Sequence, residues 1–251
     1  MSFTLVVHPN FVSLETAISN LLADFEHTGV YLTKGDRNVI KKATLDGVTL
    51  TIKKFKTPNF FQGLVYQYLR ESKAKRSFKY ATQLIGAGIK TPFPIAYAER
   101  YSGGLKESYY VSEYLAYDLD FRVLNHAPGY PDRDEILTQF AAFTFRLHEN
   151  KINFLDHSPG NTLITISENN TYDFYLIDLN RMRFESMSLE KRMHNFRRMW
   201  LSKKMMHIMA PEYARLYGAS SSKVHALMLA YSKKFQGKAN KRKIRRRKPR
   251  A

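Results

Sequence analysis

The sequence predicts a two-lobed α+β protein, with a small antiparallel β lobe followed by a larger, mainly helical lobe. Short β-type runs crowd the stretch after Gly29: Val30-Tyr31-Leu32, Asn38-Val39-Ile40-Lys41 and Val48-Thr49-Leu50-Thr51-Ile52-Lys53, with Asp46-Gly47 as the hairpin turn between the last two. Helical periodicity takes over in the second half of the chain. The 251 residues suit one compact two-lobed domain better than two independent ones.

Taken in order, residues 1 to 28 are apolar and mixed, with Ser13 as a candidate N-cap for a short helix through about Phe25, and read as an extension packed on the small lobe. Residues 29 to 115 form that lobe. After its three strands, Leu64, Val65, Tyr68, Leu69, Leu84 and Ile85 recur at helical spacing and predict one helix over 62 to 87, stopped by Gly86 and Gly88. Prolines keep Thr91 to Ile95 extended, and strands from Ala96 and from Tyr109 flank a Ser102-Gly103-Gly104 turn.

Residues 116 to 237 form the larger lobe. Ile136, Phe140, Phe143 and Leu147 share one face of a helix over Arg133 to Asn150, where His148 reads as a packed, structural histidine. Two further helices are predicted over Leu189 to Met209 and Ser220 to Lys234, separated by Pro211. Residues 238 to 251 carry nine basic residues and no acid, and are expected to be disordered.

Composition narrows the function. Hydrophobic residues at 44% and aromatics at 14% argue against disorder of the whole, and the absence of cysteine excludes disulfides and thiolate metal sites. The eight histidines have no ligand-like spacing, so a structural zinc site is not expected. No window approaches the roughly 20 apolar residues of a spanning helix, and the first residues lack a secretory profile, so a cytoplasmic location is expected. The net charge of +18 implies a polyanionic partner: an anionic membrane face, a phosphorylated glycolipid or nucleic acid.

The chemistry concentrates in Ile152 to Ile164 and Phe174 to Arg181, where two apolar β-type runs frame a polar loop. Asp156 and Asn161 stand five apart around a turn-forming Ser158-Pro159-Gly160, and Asp178 ends the next strand, so the three side chains can converge. An Asp to receive a hydroxyl proton, with an Asn and a second Asp to hold metal, is the equipment of phosphoryl transfer.

Asp156-x-x-x-x-Asn161 followed by Ile177-Asp178-Leu179-Asn180-Arg181 resembles the catalytic and metal loops of the protein-kinase-like superfamily. Ser72-Lys73-Ala74-Lys75-Arg76-Ser77 and Gly88-Ile89-Lys90-Thr91-Pro92-Phe93-Pro94 narrow the resemblance to bacterial lipopolysaccharide core sugar kinases, the Kdo and heptose kinase family, over roughly Gly29 to Met209.

The resemblance implies a protein-kinase-like fold and an ATP- and Mg²⁺-dependent transfer to a sugar hydroxyl of the lipid A-core glycolipid. Asp156 would be the catalytic base and Asn161 and Asp178 the metal ligands. Lys53, ending a strand like the Val-Ala-Ile-Lys element, would grip phosphates, with its neighbour Lys54 as the competing reading. Backbone amides near Gly35 and Arg37 would approach phosphates although that loop has a single glycine, and Glu113 to Leu115 would contact adenine. The helix glutamate of the superfamily aligns with Ser77 here, leaving Glu71 as the acid of that helix. Arg181 and Arg183 are candidate acceptor or anion contacts. The alternatives are an atypical protein kinase linked to ribosome or tRNA maturation, since a basic tail also suits RNA, and a catalytically inactive kinase-fold binding module.

Overall fold

The computed structural model describes residues 3–36, 38–167 and 171–247, with side chains described as far as Lys243. The chain divides into two units, Met1–Ala116 and Tyr117–Ala251.

The first unit is built on an antiparallel sheet. Its strands are β1 (Thr4–Val7), β2 (Val30–Lys34), β3 (Asn38–Leu45), β4 (Val48–Phe55), β5 (Pro94–Tyr101) and β6 (Leu105–Glu113), in the spatial order β1-β5-β6-β4-β3-β2. The β3–β4 turn carries positive φ at Asp46 (47°) and Gly47 (80°), the backbone that lets a two-residue loop follow the strand twist. The stretch before Gly29 is more than an extension. Thr4 to Val7 pair with Glu99 to Ala96 as an edge strand, and a helix α1 (Glu15–Ala23) buries Ile18 and Leu22 against Leu50, Ile52, Ile95 and Val111. Ser13 does not cap α1, whose N-cap position is Leu14 with no side-chain bond; Ser13 lies inside a 3₁₀ helix over Pro9–Leu14. A buried lysine, Lys41, closes the turn after α1 by donating to the carbonyls of Phe25 (2.7 Å), Glu26 (2.9 Å) and Thr28 (3.1 Å), so its charge is held by peptide dipoles.

The helix expected over 62 to 87 is two helices, α2 (Phe60–Tyr68) and α3 (Lys73–Gly86). The amide of Arg70 folds back on the Val65 carbonyl, and Ser72 starts α3 by accepting from the Lys75 amide at 3.1 Å. A capping serine thus outweighs the continuity of the apolar pattern.

The second unit contains a short strand β7 (Leu119–Asp120), helices α4 (Phe121–His126) and α5 (Arg133–Glu149), and strands β8 (Ile152–Phe154), β9 (Thr162–Ile166), β10 (Tyr172–Leu176) and β11 (Met182–Phe184). Strand β9 lies between β10 and β7, while β8 pairs with β11. Helices α6 (Leu189–Asn195), α7 (Lys203–Tyr217) and α8 (Ser221–Arg247) complete it. The α5 face reads as expected, with Ile136, Phe140, Phe143 and Leu147 all buried, and Phe140 packs its ring 5.3 Å from that of Phe174 on β10.

Three helix boundaries in the second unit differ from the sequence reading. The single helix over Leu189 to Met209 breaks at Trp200, which adopts φ 55°, and restarts where Ser202 caps the Met205 amide at 3.2 Å. Pro211 then sits inside α7, where the buried face of Met206, Met209, Ala210 and Tyr213 carries the helix through it. Helix α8 continues past Lys234 to Arg247, so the basic run expected to be disordered is helical that far.

Asn195, at the end of α6, is buried and serves several polar groups. Its Nδ2 donates to Asn153 Oδ1 (2.9 Å) and to the Phe154 carbonyl (2.8 Å), and its Oδ1 accepts from His157 Nδ1 (2.8 Å) and His148 Nε2 (3.4 Å). Burial lowers the pKa of His157 from 6.5 to about 4 and that of His148 to about 3. Both rings are therefore neutral in the fold and become charged near 6.5 when it opens. The unfolded state then binds more protons as pH falls below 6.5, and the fold loses stability down to the native pKa values at about 1.4 kcal/mol per pH unit for each ring. We expect the urea midpoint to fall steadily from pH 6.5 to 5.5, above the range where carboxylates titrate; a flat profile there would show that the two rings are not held neutral.

Candidate active site

The polar loop of the second unit is set by strand pairing on both sides. Strand β8 delivers Asp156, and the Leu155 amide donates to the Arg181 carbonyl at 3.0 Å, tying the loop to the segment entering β11. A one-turn 3₁₀ helix over Pro159–Asn161 then turns the chain into β9. The β9–β10 register places Thr162 opposite Leu176, and the Ile177 amide donates to the Asn161 carbonyl at 3.0 Å. Asn161 and Asp178 therefore meet at the same end of one hairpin.

Each of the three side chains has an orienting contact. Asn161 Nδ2 donates to the Asp156 carbonyl at 2.9 Å, which directs its Oδ1 as the outward acceptor. Asp178 has φ 58°, in the left-handed region, and its Oδ1 accepts from Asn180 Nδ2 at 2.8 Å. A non-glycine residue held there is backbone strain that local structure has to sustain. The Asp156 carboxylate faces two guanidiniums: Arg198 Nη2 lies 2.7 Å from Oδ1, and Arg181 Nη1 lies 3.6 Å from Oδ2.

Arg198 is a residue the sequence reading missed. It comes from the 3₁₀ helix over Phe196–Met199, just before the Trp200 break, and its guanidinium lies over the Phe235 ring of α8 at 6.0 Å. Sequence offers no signal for it, because the pair spans 42 residues and depends on the unforeseen break. Arg122 is a second. Its guanidinium occupies the space a Cβ on Gly160 would fill, and it pairs with Asp120 at 3.0 Å. A Cβ at 160 would push that guanidinium off the Asp156–Asn161 loop. Arg183, exposed on β11, acts on Glu185, whose carboxyl is held below its usual range by hydrogen bonds from Lys191 and Asn153 with a further pull from Arg183.

Among the described residues no three His, Cys, Asp or Glu side chains converge as a metal site. A divalent ion here would rest on one carboxylate and one amide oxygen, Asp178 and Asn161. That donor set suits Mg²⁺, which keeps waters and takes remaining oxygens from substrate phosphates.

The remaining candidates belong to the first unit. On β4, Lys54 follows the buried face of Leu50 and Ile52, and its ammonium turns to Glu26 at 2.9 Å and Glu107 at 3.4 Å. Lys53 points the other way, with its ammonium 5.2 Å from the Phe55 ring centroid. Glu71, expected within the helix, precedes α3 and its Ser72 cap and lies near Lys75 (3.7 Å) and Lys79 (3.5 Å), while the Ser77 hydroxyl on α3 donates to the Lys73 carbonyl. The Gly35 amide donates to the Asn38 carbonyl at 3.2 Å, closing the β2–β3 turn, and Arg37 lies outside the described residues. The Glu113 amide donates to the Phe93 carbonyl at 2.9 Å; Leu115 is half-buried just after β6.

Comparison with known proteins gives a consistent result. No curated protein matches the chain in sequence. Among solved structures, "WaaP in complex with acyl carrier protein" superposes with a TM-score of 0.64 at 18% identity, covering 92% of this chain and 98% of that one, which establishes a shared fold. The model of the lipopolysaccharide kinase (Kdo/WaaP) family matches residues 34–231, a span holding Asp156, Asn161, Asp178 and Lys53. The chain belongs to the lipopolysaccharide kinase (Kdo/WaaP) family, and is a kinase of the lipopolysaccharide core.

Proposed function

We propose that the protein transfers the γ-phosphoryl group of ATP to a sugar hydroxyl of the lipopolysaccharide inner core, on Kdo or heptose, working as a peripheral enzyme at the cytoplasmic face of the inner membrane. The observation that carries this is the convergence of Asp156, Asn161 and Asp178 at the ends of two paired strands, each oriented by a hydrogen bond or ion pair of its own.

In this reading Asp156 is the base. Arg198 fixes Oδ1, and the more loosely held Oδ2 takes the proton of the acceptor hydroxyl, a contribution of about 10²–10⁴-fold in rate. Asn161 and Asp178 would hold Mg²⁺, which when bound neutralises charge on the transferring phosphoryl group. Lys53 would grip phosphates, since Lys54 is committed to Glu26 and Glu107. The amides near Gly35 and Arg37 would approach phosphates, Glu113 to Leu115 would receive adenine, and Arg181 and Arg183 would face the acceptor. The acceptor is membrane-borne, and the basic end of α8 supplies charge for an anionic surface. No helix among the described residues is long and apolar enough to cross a membrane. RNA remains the weaker partner for that charge, because the family match favours a glycolipid.

Purified protein with ATP, Mg²⁺ and separate Kdo- and heptose-bearing acceptors tests the assignment directly. Asp156→Asn is expected to keep nucleotide binding by calorimetry while losing about 10²–10⁴-fold in turnover, whereas Asp178→Asn loses Mg²⁺-dependent binding itself. Full turnover in Asp156→Asn would remove the base. For the lysines, Lys53→Met should abolish transfer with the fold intact. Lys54→Met should instead cost about 1 kcal/mol of stability, from the loss of a partly buried ion pair, and retain transfer; the reverse pattern would exchange their roles. Deleting Lys238 to Ala251 should weaken retention on anionic vesicles and leave transfer to a soluble, lipid-free core sugar nearly unchanged. Transfer to protein with none to any core sugar would instead favour the ribosome- or tRNA-linked kinase.

A further inference from the structure

Helix α2 is folded inside out. Phe61, Val65, Tyr68 and Leu69 stand at i, i+4, i+7 and i+8, the stripe by which a surface helix normally meets its core. Here that stripe faces solvent: Phe61 is 78% exposed, Tyr68 73% and Leu69 82%, with the neighbouring Phe60 at 61%. The buried residue of α2 is Gly63, on the opposite side. A Cβ there would come within 3.2 Å of the Leu105 carbonyl and 3.3 Å of its amide, so glycine is what lets the helix backbone lie directly on the β5–β6 turn. The helix is therefore anchored through its smallest residue, with Asn59 capping its start by accepting from the Gln62 amide at 2.9 Å, and the large apolar side chains are free for contact outside the chain.

The surroundings select the occupant. No acid occurs from Lys53 to Arg70. Lys56, Arg70 and Lys106 are exposed around the helix, while the nearest acids are each held by cations, Glu71 by Lys75 and Lys79, Glu107 by Lys54 and Arg100. A second copy would bring the same basic rim against itself on a chain of net charge +18. An aromatic and leucine face edged by lysine and arginine, lying flat on the surface, matches the interface of an anionic bilayer: rings and leucine enter the acyl boundary and the cations meet headgroups. The geometry points to α2 as a membrane-insertion helix, with Phe60, Phe61, Tyr68 and Leu69 entering an anionic leaflet. The inference rests on the glycolipid reading only in choosing lipid as the occupant, and it assigns insertion to a part of the chain separate from the basic end of α8. Apolar insertion and polybasic attraction together give the two signals that stable peripheral attachment requires.

The chain has no cysteine, so Phe61→Cys provides a unique attachment point for an environment-sensitive dye on the full-length protein. Phosphatidylglycerol-containing vesicles should shift the emission to the blue, and spin-labelled acyl chains should quench it. Neutral phosphatidylcholine vesicles should do neither, and a dye on exposed Gln83→Cys of α3 should stay in water on both. Unlabelled Phe60→Ser/Phe61→Ser should partition onto the anionic vesicles at least about tenfold more weakly, with unchanged transfer to a soluble core sugar. A dye at 61 that stays in water while the protein sediments with vesicles would overturn the proposal. So would a shift that appears without lipid as protein concentration rises, which would assign the face to a second copy. Absence of transfer to any core sugar would remove the glycolipid reading without moving the dye signal, so the two failures are separable.

Discussion

The Asp156–Asn161 loop stands on Asn195. A loop of this kind has to present polar groups outward while its underside is covered by apolar structure, and each buried backbone or ring polar group there costs about 1–3 kcal/mol if left unmet. One amide side chain meets several of them. Asn195 reaches the carbonyl of Phe154, two residues before Asp156, and the ring of His157, the residue after it, so Asp156 is bracketed on both sides. The same Oδ1 receives His148 from α5, and His148 in turn accepts at Nδ1 from the Tyr213 hydroxyl on α7, at 2.7 Å. The loop is thereby tied to three helices through neutral hydrogen bonds, and the neutrality follows from burial of both rings. The rings of Phe140, Phe154 and Phe196 pack around His157, an apolar setting in which a lost polar partner is costly.

Above that support, the reactive groups are set by local pairing. Strands β9 and β10 are joined by a short connection, and their register alone brings Asn161 beside Asp178. This is why the core of the site was legible in the sequence. Asp156, Asn161 and Asp178 are near neighbours along the chain, and turn residues and β-type runs report such geometry directly. The same holds for the β3–β4 hairpin and for α5, whose apolar face is continuous.

What the sequence did not reveal has a common physical cause: long-range packing. Strand β1 pairs with β5 across 89 to 95 residues, and nothing local distinguishes Thr4 to Val7 from an apolar extension. The splits between α2 and α3, and at Trp200, turn on single serines at positions 72 and 202 whose capping competes with an unbroken apolar pattern. Pro211 failed as a boundary because the buried face of α7 outweighs one missing hydrogen bond. The α2 stripe is the instructive case. Helical periodicity in Leu64, Val65, Tyr68 and Leu69 marks a helix there, yet periodicity does not report whether the apolar face meets the core, and here Val65, Tyr68 and Leu69 are exposed.

Two of the five described non-glycine residues with positive φ lie at the candidate site. They are Asp178, at the end of β10, and Trp200, two residues after Arg198. Such residues cost of order 1–3 kcal/mol each and persist only where their surroundings determine them. At Asp178 the strained backbone turns the carboxylate off the end of β10 toward Asn161. At Trp200 it ends the 3₁₀ helix so that Arg198 points at Asp156, while the indole itself packs edge-on to Phe235 of α8 at 5.7 Å. Arg198 also covers Phe235, so one aromatic residue of α8 contacts both the strained turn and the guanidinium paired with Asp156. The carboxylate of Asp156 is therefore linked through Arg198 to the packing of α8 as well as to the loop that carries it, and in the proposed reading a change at Phe235 would reach the base indirectly.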